Sequence, residues 1–175
     1  IFVTHDQEEA LTLSDRVGIL KNGRLVQCGD PLSIYNAPNS RFSAHFLGEA
    51  NTFDGTLEAG SLRLSDGSRL RWDGAAKPLD NPASVAVRPE FVHVSVDEPT
   101  GPVNRLRVIV VDHVFAGPTA TLLMRWGDQS LKALLVGSDT ANLTHGQAVW
   151  MSWPYHKSIP LPGDERSQPD GEQRS

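Results

Sequence analysis

The sequence predicts a mainly β protein, a small β-barrel or β-sandwich, that follows a short α/β segment. After Gly48, apolar and polar residues alternate in many short runs, which is typical of strands with one buried face. Asn22-Gly23, Asp66-Gly67 and Gly127-Asp128 stand between apolar runs, as in tight hairpin turns. With 15 Gly and 12 Pro, the chain is interrupted too often for long helices.

Composition excludes several classes of protein. The 175 residues are enough for one ordinary domain or two small ones. Sixteen Lys and Arg against 21 Asp and Glu give a net charge of −5, which argues against a nucleic-acid-binding module. A single cysteine, Cys28, excludes an internal disulfide framework. The histidines are scattered without ligand spacing, so we expect no metal site.

The first residues indicate an α/β segment. Ile1–Thr4 is apolar and β-branched, as in a buried strand of a parallel sheet. Such a strand needs neighbours that the sequence does not supply, so we interpret the sequence as a fragment. A helix follows to about Ser14, with Thr4/Gln7 or Asp6/Glu9 as its capping box. Asn22-Gly23 predicts a hairpin.

Two short helices should connect this segment to the β region. Asp30-Pro31 predicts the first, because Asp is a good N-cap and Pro suits the first helical turn. Ser40 to Leu47 predicts the second, and Gly48 ends it. From about Pro154 the composition becomes polar and proline-rich, and we expect a disordered tail over 161–175.

The N-terminal motif resembles a known family. The segment from Ile1 to Leu11, which contains Thr4-His5-Asp6-Gln7, is similar to the switch-histidine loop (H-loop) of ATP-binding-cassette (ABC) ATPases. The pattern continues through Pro31 and Tyr35 to Phe53, and this junction resembles the importer subfamily for polyamines, ferric iron, sulfate and maltose. Val87-Arg88-Pro89-Glu90 resembles the signature of the transport-associated OB (TOBE) regulatory domain.

The resemblance implies an organisation for the chain. Residues 1–50 would be the C-terminal remnant of a P-loop nucleotide-binding domain with its connecting helices, and 51–160 an OB-like TOBE domain. His5 would be the switch histidine that contacts the γ-phosphate in the intact parent. An imidazole at the carboxyl end of a strand is well placed to stabilise charge in phosphoryl transfer.

The resemblance also implies partners and a location. The parent would bind ATP and Mg²⁺, form a homodimer, and lie at the cytoplasmic face of the membrane on permease subunits. A solute-binding protein would be an indirect partner, and no nucleic acid is expected. The strands from Val108 onward look most similar to the polyamine branch, ahead of ferric iron and the oxyanions.

Enzymatic activity of this chain alone is uncertain, because most of the catalytic motifs are missing. No Walker A, signature or Walker B motif is present, so the sequence offers no phosphate cradle and no magnesium ligand. We expect the chain to be inactive by itself. The alternative is a stand-alone oxyanion-binding β module without an ATPase role, which would have no use for residues 1–30.

Two further features invite a functional interpretation. Phe115–Thr119 is a Gly-Pro turn between strong strands, which we interpret as a turn with a ligand or partner surface as the alternative. Trp150, Met151 and Trp153 alternate and are expected to pack in the core or at its edge. The adjacent carboxylates Glu8-Glu9 and Asp97-Glu98 are interpreted as solvated rather than catalytic.

Overall fold

A computed structural model describes residues 1–74, 83–137 and 143–162. Within these ranges the chain forms three short α-helices and twelve strands. Their bounds are α1 Gln7–Leu13, β1 Val17–Lys21, β2 Arg24–Gly29, α2 Pro31–Asn36, α3 Arg41–Phe46, β3 Asn51–Glu58, β4 Ser61–Arg63, β5 Arg69–Leu70, β6 Ala83–Val87, β7 His93–Ser95, β8 Val103–Ala116, β9 Thr119–Trp126, β10 Gln129–Val136, β11 Ala148–Pro154 and β12 Ile159–Pro162. The described ranges also contain short 3-10 helices at Pro89–Phe91 and Tyr155–Lys157.

The N-terminal segment, residues 1–50, contains α1, the β1–β2 hairpin, α2 and α3. Asn22 and Gly23 both have positive φ, which is the requirement of the tight turn that the sequence predicts. The Asp30 carboxylate accepts a hydrogen bond from the Ser33 amide at 2.9 Å and starts α2. Ser40 caps α3 in the same way. The predicted helices and hairpin are therefore confirmed.

The predicted strand at the start of the chain is wrong for this structure. Ile1, Phe2 and Val3 form no strand, and their side chains are exposed. A parallel strand needs backbone partners on a neighbouring strand, and within the described residues none lies beside this stretch. The segment instead leads into α1 without regular secondary structure.

The β region, residues 51–162, consists of two five-stranded sheets. The strand orders are β10-β9-β8-β11-β7 and β12-β6-β3-β4-β5, and all pairings are antiparallel. Strands with one buried face produce the alternating pattern of the sequence. The mainly β fold is confirmed. The core between the sheets is one cluster of buried apolar side chains, in which Phe53 stacks on Trp153 with ring centroids 5.4 Å apart.

Polar side chains join the two sheets at defined points. The Asn51 side-chain amide donates to the Lys132 backbone carbonyl oxygen at 2.8 Å and accepts from the Lys132 backbone N–H at 2.7 Å. Asn51 thus pairs with the edge strand β10 as a neighbouring backbone would. The buried Asn104 amide group bonds to the backbone of Arg71 and to the Ser158 hydroxyl, so its polar atoms are satisfied.

The ordered chain continues beyond the point where the composition turns polar. After Pro154, a 3-10 turn leads into β12, which pairs with β6, and Leu161 is fully buried. The predicted tail, whether it starts at about Pro154 with the change of composition or at residue 161, is thus wrong as far as Pro162, because the residues of β12 complete the sheet. Residues 163–175 of the predicted tail lie outside the described residues. No described helix has the length and apolar character needed to cross a membrane.

Candidate functional site

His5 lies at a bend immediately before α1. Asp6 is the residue that caps the helix, because its carboxylate accepts from the Glu9 amide at 3.1 Å. The Thr4 hydroxyl accepts from the Asp6 backbone N–H and donates to the Glu9 carboxylate. In a capping box the Glu9 carboxylate would accept from the Asp6 N–H directly, whereas here the Thr4 hydroxyl lies between them. Of the two predicted capping boxes, the structure has the Asp6/Glu9 register. These bonds fix the backbone on both sides of His5.

The His5 side chain borders an open cleft of about 310 Å³. Phe2, Arg16, Phe46 and Leu47 are among the other residues that line this cleft. The imidazole is exposed, and no hydrogen bond to it is found within the described part of the chain. An exposed ring with both nitrogens available is able to bond to a group brought from outside the segment, as the switch role requires.

Arg88 connects the N-terminal segment to the β region. Only 1% of this residue is exposed, and its side chain reaches from the end of β6 into the N-terminal segment. Its Nη1 donates to the carbonyl oxygens of Ala44 at 2.6 Å, Glu49 at 3.2 Å and Gly48 at 3.3 Å. Its Nη2 donates to the Tyr35 carbonyl oxygen at 3.0 Å. The guanidinium therefore binds carbonyl groups at or near the carboxyl ends of α2 and α3, where a cation is favoured.

Tyr35 extends this junction. Its ring lies 4.1 Å from the Arg88 guanidinium carbon, and its hydroxyl donates to Glu90 at 2.5 Å. Burial, and then the hydrogen bond and charge of Glu90, raise the pKa of Tyr35 to about 12. Burial lowers the pKa of Arg88, and the charges of Tyr35 and Glu90 oppose that shift. A buried cation held by carbonyl groups and an aromatic ring makes a geometrically specific joint.

A second polar contact crosses the junction. Arg41, at the start of α3, forms an ion pair with Asp54 on β3 at 2.7 Å. The Ser84 hydroxyl also donates to Asp54 at 2.6 Å. Burial raises the pKa of Asp54, but the hydrogen bonds from Arg41 and Ser84 outweigh it and lower the pKa overall. This pair adds to the orientation that Arg88 sets.

The other predicted positions lie away from the junction. Phe115 to Thr119 form the end of the long β8–β9 hairpin, where 76% of Phe115 is exposed. Trp153 and Met151 are buried in the core, as predicted, whereas Trp150 is half-buried on the opposite face of β11. In the described ranges, no three His, Cys, Asp or Glu side chains are grouped as a metal site would need.

The fold and junction can now be compared with known proteins. Residues 85–159 match the TOBE domain family. The chain contains a TOBE domain. The match includes the end of β6, the Arg88 turn and the strands from β7 to β11, so it covers the whole of the sheet β10-β9-β8-β11-β7 and one strand of the other sheet.

Similar full-length sequences belong to import ATP-binding proteins. The chain is 37% identical to "Spermidine/putrescine import ATP-binding protein PotA" of Thermobifida fusca, over 93% of this chain and 44% of that protein. It is 33% identical to the protein of that name from Rubrobacter xylanophilus, over 93% of this chain and 45% of the relative. The chain therefore spans less than half the length of the curated relatives it matches.

A solved structure shares the fold. The cytoplasmic molybdate-binding protein ModG superposes with a TM-score of 0.53, covering 65% of this chain and 96% of that one, at 16% identity. This likeness supports the small OB-like β architecture that the TOBE resemblance implies. At such low identity, it concerns the fold alone.

Sequence reasoning found the motif that contains Arg88 but not what its side chain does. The signal available was an arginine between a buried strand and a proline, and a charged residue there is unusual. Tyr35 was recognised only as part of the junction pattern. Their contact joins residues 53 positions apart, which no local pattern encodes.

Proposed function

We propose that this chain is the switch-histidine and regulatory part of the ATP-binding, energy-coupling subunit of an ABC importer. The observation that carries the proposal is the 37% identity to an import ATP-binding protein over 93% of the chain. A match of that extent covers parts of both the N-terminal segment and the β region. An isolated β module would match over the β region alone.

Residues 1–50 then act as the end of the nucleotide-binding domain, and 51–162, which include β12, as the TOBE domain. In this arrangement His5 contacts the γ-phosphate in the intact parent. Its exposed imidazole beside an open cleft supports that role. Arg88 and Tyr35 fix the β region to the two helices that follow the His5 segment, so the two parts move together.

ATP and Mg²⁺ belong to the intact parent in this proposal. The residues of this chain do not by themselves fit a nucleotide, because no phosphate-binding loop with its lysine is present in the sequence. His5 supplies one contact to a site whose other groups lie elsewhere. We therefore assign no hydrolytic step to this chain alone.

We further propose that the subunit serves polyamine import, pairs as a homodimer, and acts on permease subunits at the cytoplasmic face of the membrane. The names of the relatives support the polyamine assignment. Ferric iron and oxyanions are the next candidates. A stand-alone oxyanion-binding module finds support only in a fold likeness to ModG, and residues 1–50 have no purpose in such a module.

The experiment begins with the DNA that precedes the Ile1 codon in the same reading frame. We expect it to encode a Walker A, a signature and a Walker B motif. The complete protein should then hydrolyse ATP, and His5→Ala should reduce turnover about 100-fold or more, because one charge-stabilising contact is lost. His156→Ala, at an exposed position of the β region, is the matched control. Normal turnover in His5→Ala would refute the switch role.

A further inference from the structure

One face of the five-stranded sheet β10-β9-β8-β11-β7 combines cations with apolar side chains. Side chains alternate along a strand, so the residues that point away from the core share one surface. This outer face carries Arg105 and Arg107 on β8, Arg125 on β9, Lys132 and Leu134 on β10, and Trp150 on β11. Strands are about 4.8 Å apart, so five of them make a face roughly 20 Å wide.

The cations of the outer face are contiguous. Arg125 lies opposite Ile109, and Arg107 is two residues from Ile109 on the same side of β8. Arg105 is two residues from Arg107 on the same side of β8. On the other side of Arg125, Ser130 of β10 lies opposite it, and Lys132 is two residues from Ser130 on the same face. A chain with a net charge of −5 thus places four cations together on one sheet face.

Two of these cations are not neutralised. Lys132 is paired with Glu49, and Arg105 with Glu98 at 3.1 Å. The guanidinium carbon of Arg107 lies 5.3 Å from the centre of the Trp150 ring, which is a cation–π contact and does not neutralise its charge. For Arg125 no ion pair or hydrogen bond is found in the described ranges. Asp112 lies on the same face opposite Leu123, two strands from Lys132, and the register places it diagonal to Arg125.

The outer face becomes apolar toward the end of the β8–β9 hairpin. Val114 is 50% exposed and Val136 68% exposed, and both lie on this face with half-buried Leu134. Phe115 stands at the same end of the hairpin. Arginine and aromatic residues are enriched where proteins bind one another, and exposed apolar patches mark such places.

We propose that the outer face docks a protein that presents carboxylates to Arg107 and Arg125 and an apolar patch to Val114 and Val136. Charge complementarity selects this occupant, because two arginines without an ion pair attract acidic groups placed opposite them. A second copy of the chain is disfavoured, since a two-fold axis through this face would oppose its cations. Nucleic acid is disfavoured because Arg107 already covers the Trp150 ring, and the apolar half offers phosphates nothing.

The test uses a dye-labelled synthetic peptide of repeating Glu-Glu-Leu-Gly, its Lys-Lys-Leu-Gly counterpart, and fluorescence anisotropy with this chain. We expect the acidic peptide alone to bind, and salt to weaken it. The double variant Arg107→Gln/Arg125→Gln should bind about tenfold more weakly or worse. Val136→Thr should reduce binding by a smaller factor. Arg63→Gln/Arg69→Gln, two exposed arginines of the other sheet, is the matched control and should bind normally.

Four results would overturn the proposal. The first is that the acidic peptide does not bind. The second is that the Arg107/Arg125 variant binds the acidic peptide as tightly as the native chain does. The third is that a single-stranded DNA oligonucleotide binds more tightly than the peptide and that this DNA binding is lost in the same variant. The fourth is self-association, seen by sedimentation velocity, that the same variant abolishes, because the occupant would then be a second copy. Circular dichroism verifies that each variant keeps the fold.

Discussion

The β region and the N-terminal segment bury their apolar residues to different extents. The main core of the β region contains eighteen buried apolar residues, whereas the main cluster of the N-terminal segment contains four. The N-terminal segment nevertheless holds seven of the twelve large hydrophobic residues that are exposed in the described ranges. Burial of apolar surface is the main stabilising contribution to folding. The β region therefore has its own source of stability, and the N-terminal segment depends on its contacts with that region.

The strongest test of this contrast compares one core residue from each region. Phe53→Ala should lower the free energy of unfolding by about 3–5 kcal/mol, because a large ring in the main core is lost. Ile19→Ala should instead loosen the N-terminal segment alone, because its cluster is small. Urea unfolding measures the first effect, and amide hydrogen exchange resolved by residue measures the second. Loss of protection throughout the β strands in Ile19→Ala would show that the two regions unfold as one unit.

Arg88→Met tests the connection between the two regions. The substitution leaves four carbonyl groups without their donor, of which that of Ala44 is buried and the others are partly buried, so we expect a loss of about 2–4 kcal/mol. We also expect faster proteolysis within the N-terminal segment, with the β region left intact. Arg63→Met removes an exposed ion pair with Glu58 and should cost less than about 1 kcal/mol. Equal stability of the two variants would contradict the role given to Arg88.

The smallest effect concerns pH and the Tyr35 contact. Folding raises the pKa of Tyr35 to about 12 from an ordinary value of 10.0, so the protonated hydroxyl contributes its full stabilisation below pH about 10. That stabilisation is lost as the pH rises from about 10 through about 12. Because the side chain is partly exposed, the loss in the free energy of unfolding is only about 1 kcal/mol. Tyrosinate absorbance with Tyr35→Phe as reference assigns the titration. Chemical denaturation across the same pH range should show the loss in the native protein and not in the variant.

Local chemistry explains which parts of the fold were predictable. Asn22-Gly23 determines its hairpin turn, and Asp30 its helix start, because the responsible groups are neighbours in sequence. Alternation identified the strands from β3 to β11 for the same reason. The strand β12 was missed because Pro160 and Pro162 argue against a strand, and only its place at a sheet edge tolerates them.

The site was predictable only where a family motif covers it. His5 was identified by that motif, and its catalytic role remains a prediction. The contacts of Arg88 join positions between 39 and 53 residues apart, so they depend on how the regions pack. The basic outer face was hidden by the net charge of −5, because a sum over the chain says nothing about which strand face each charge occupies.

The paired amide of Asn51 has a consequence for behaviour at high concentration. The outer strands of both sheets are places where another molecule could add a strand and begin an aggregate. β5 and β7 are very short, and β12 contains two prolines, which leaves the eight-residue β10 as the vulnerable edge. Asn51 occupies both backbone groups of Lys132 near its middle. The Asn51 side chain therefore interrupts the row of free backbone groups on which another strand could pair, and it helps to keep the protein from aggregating.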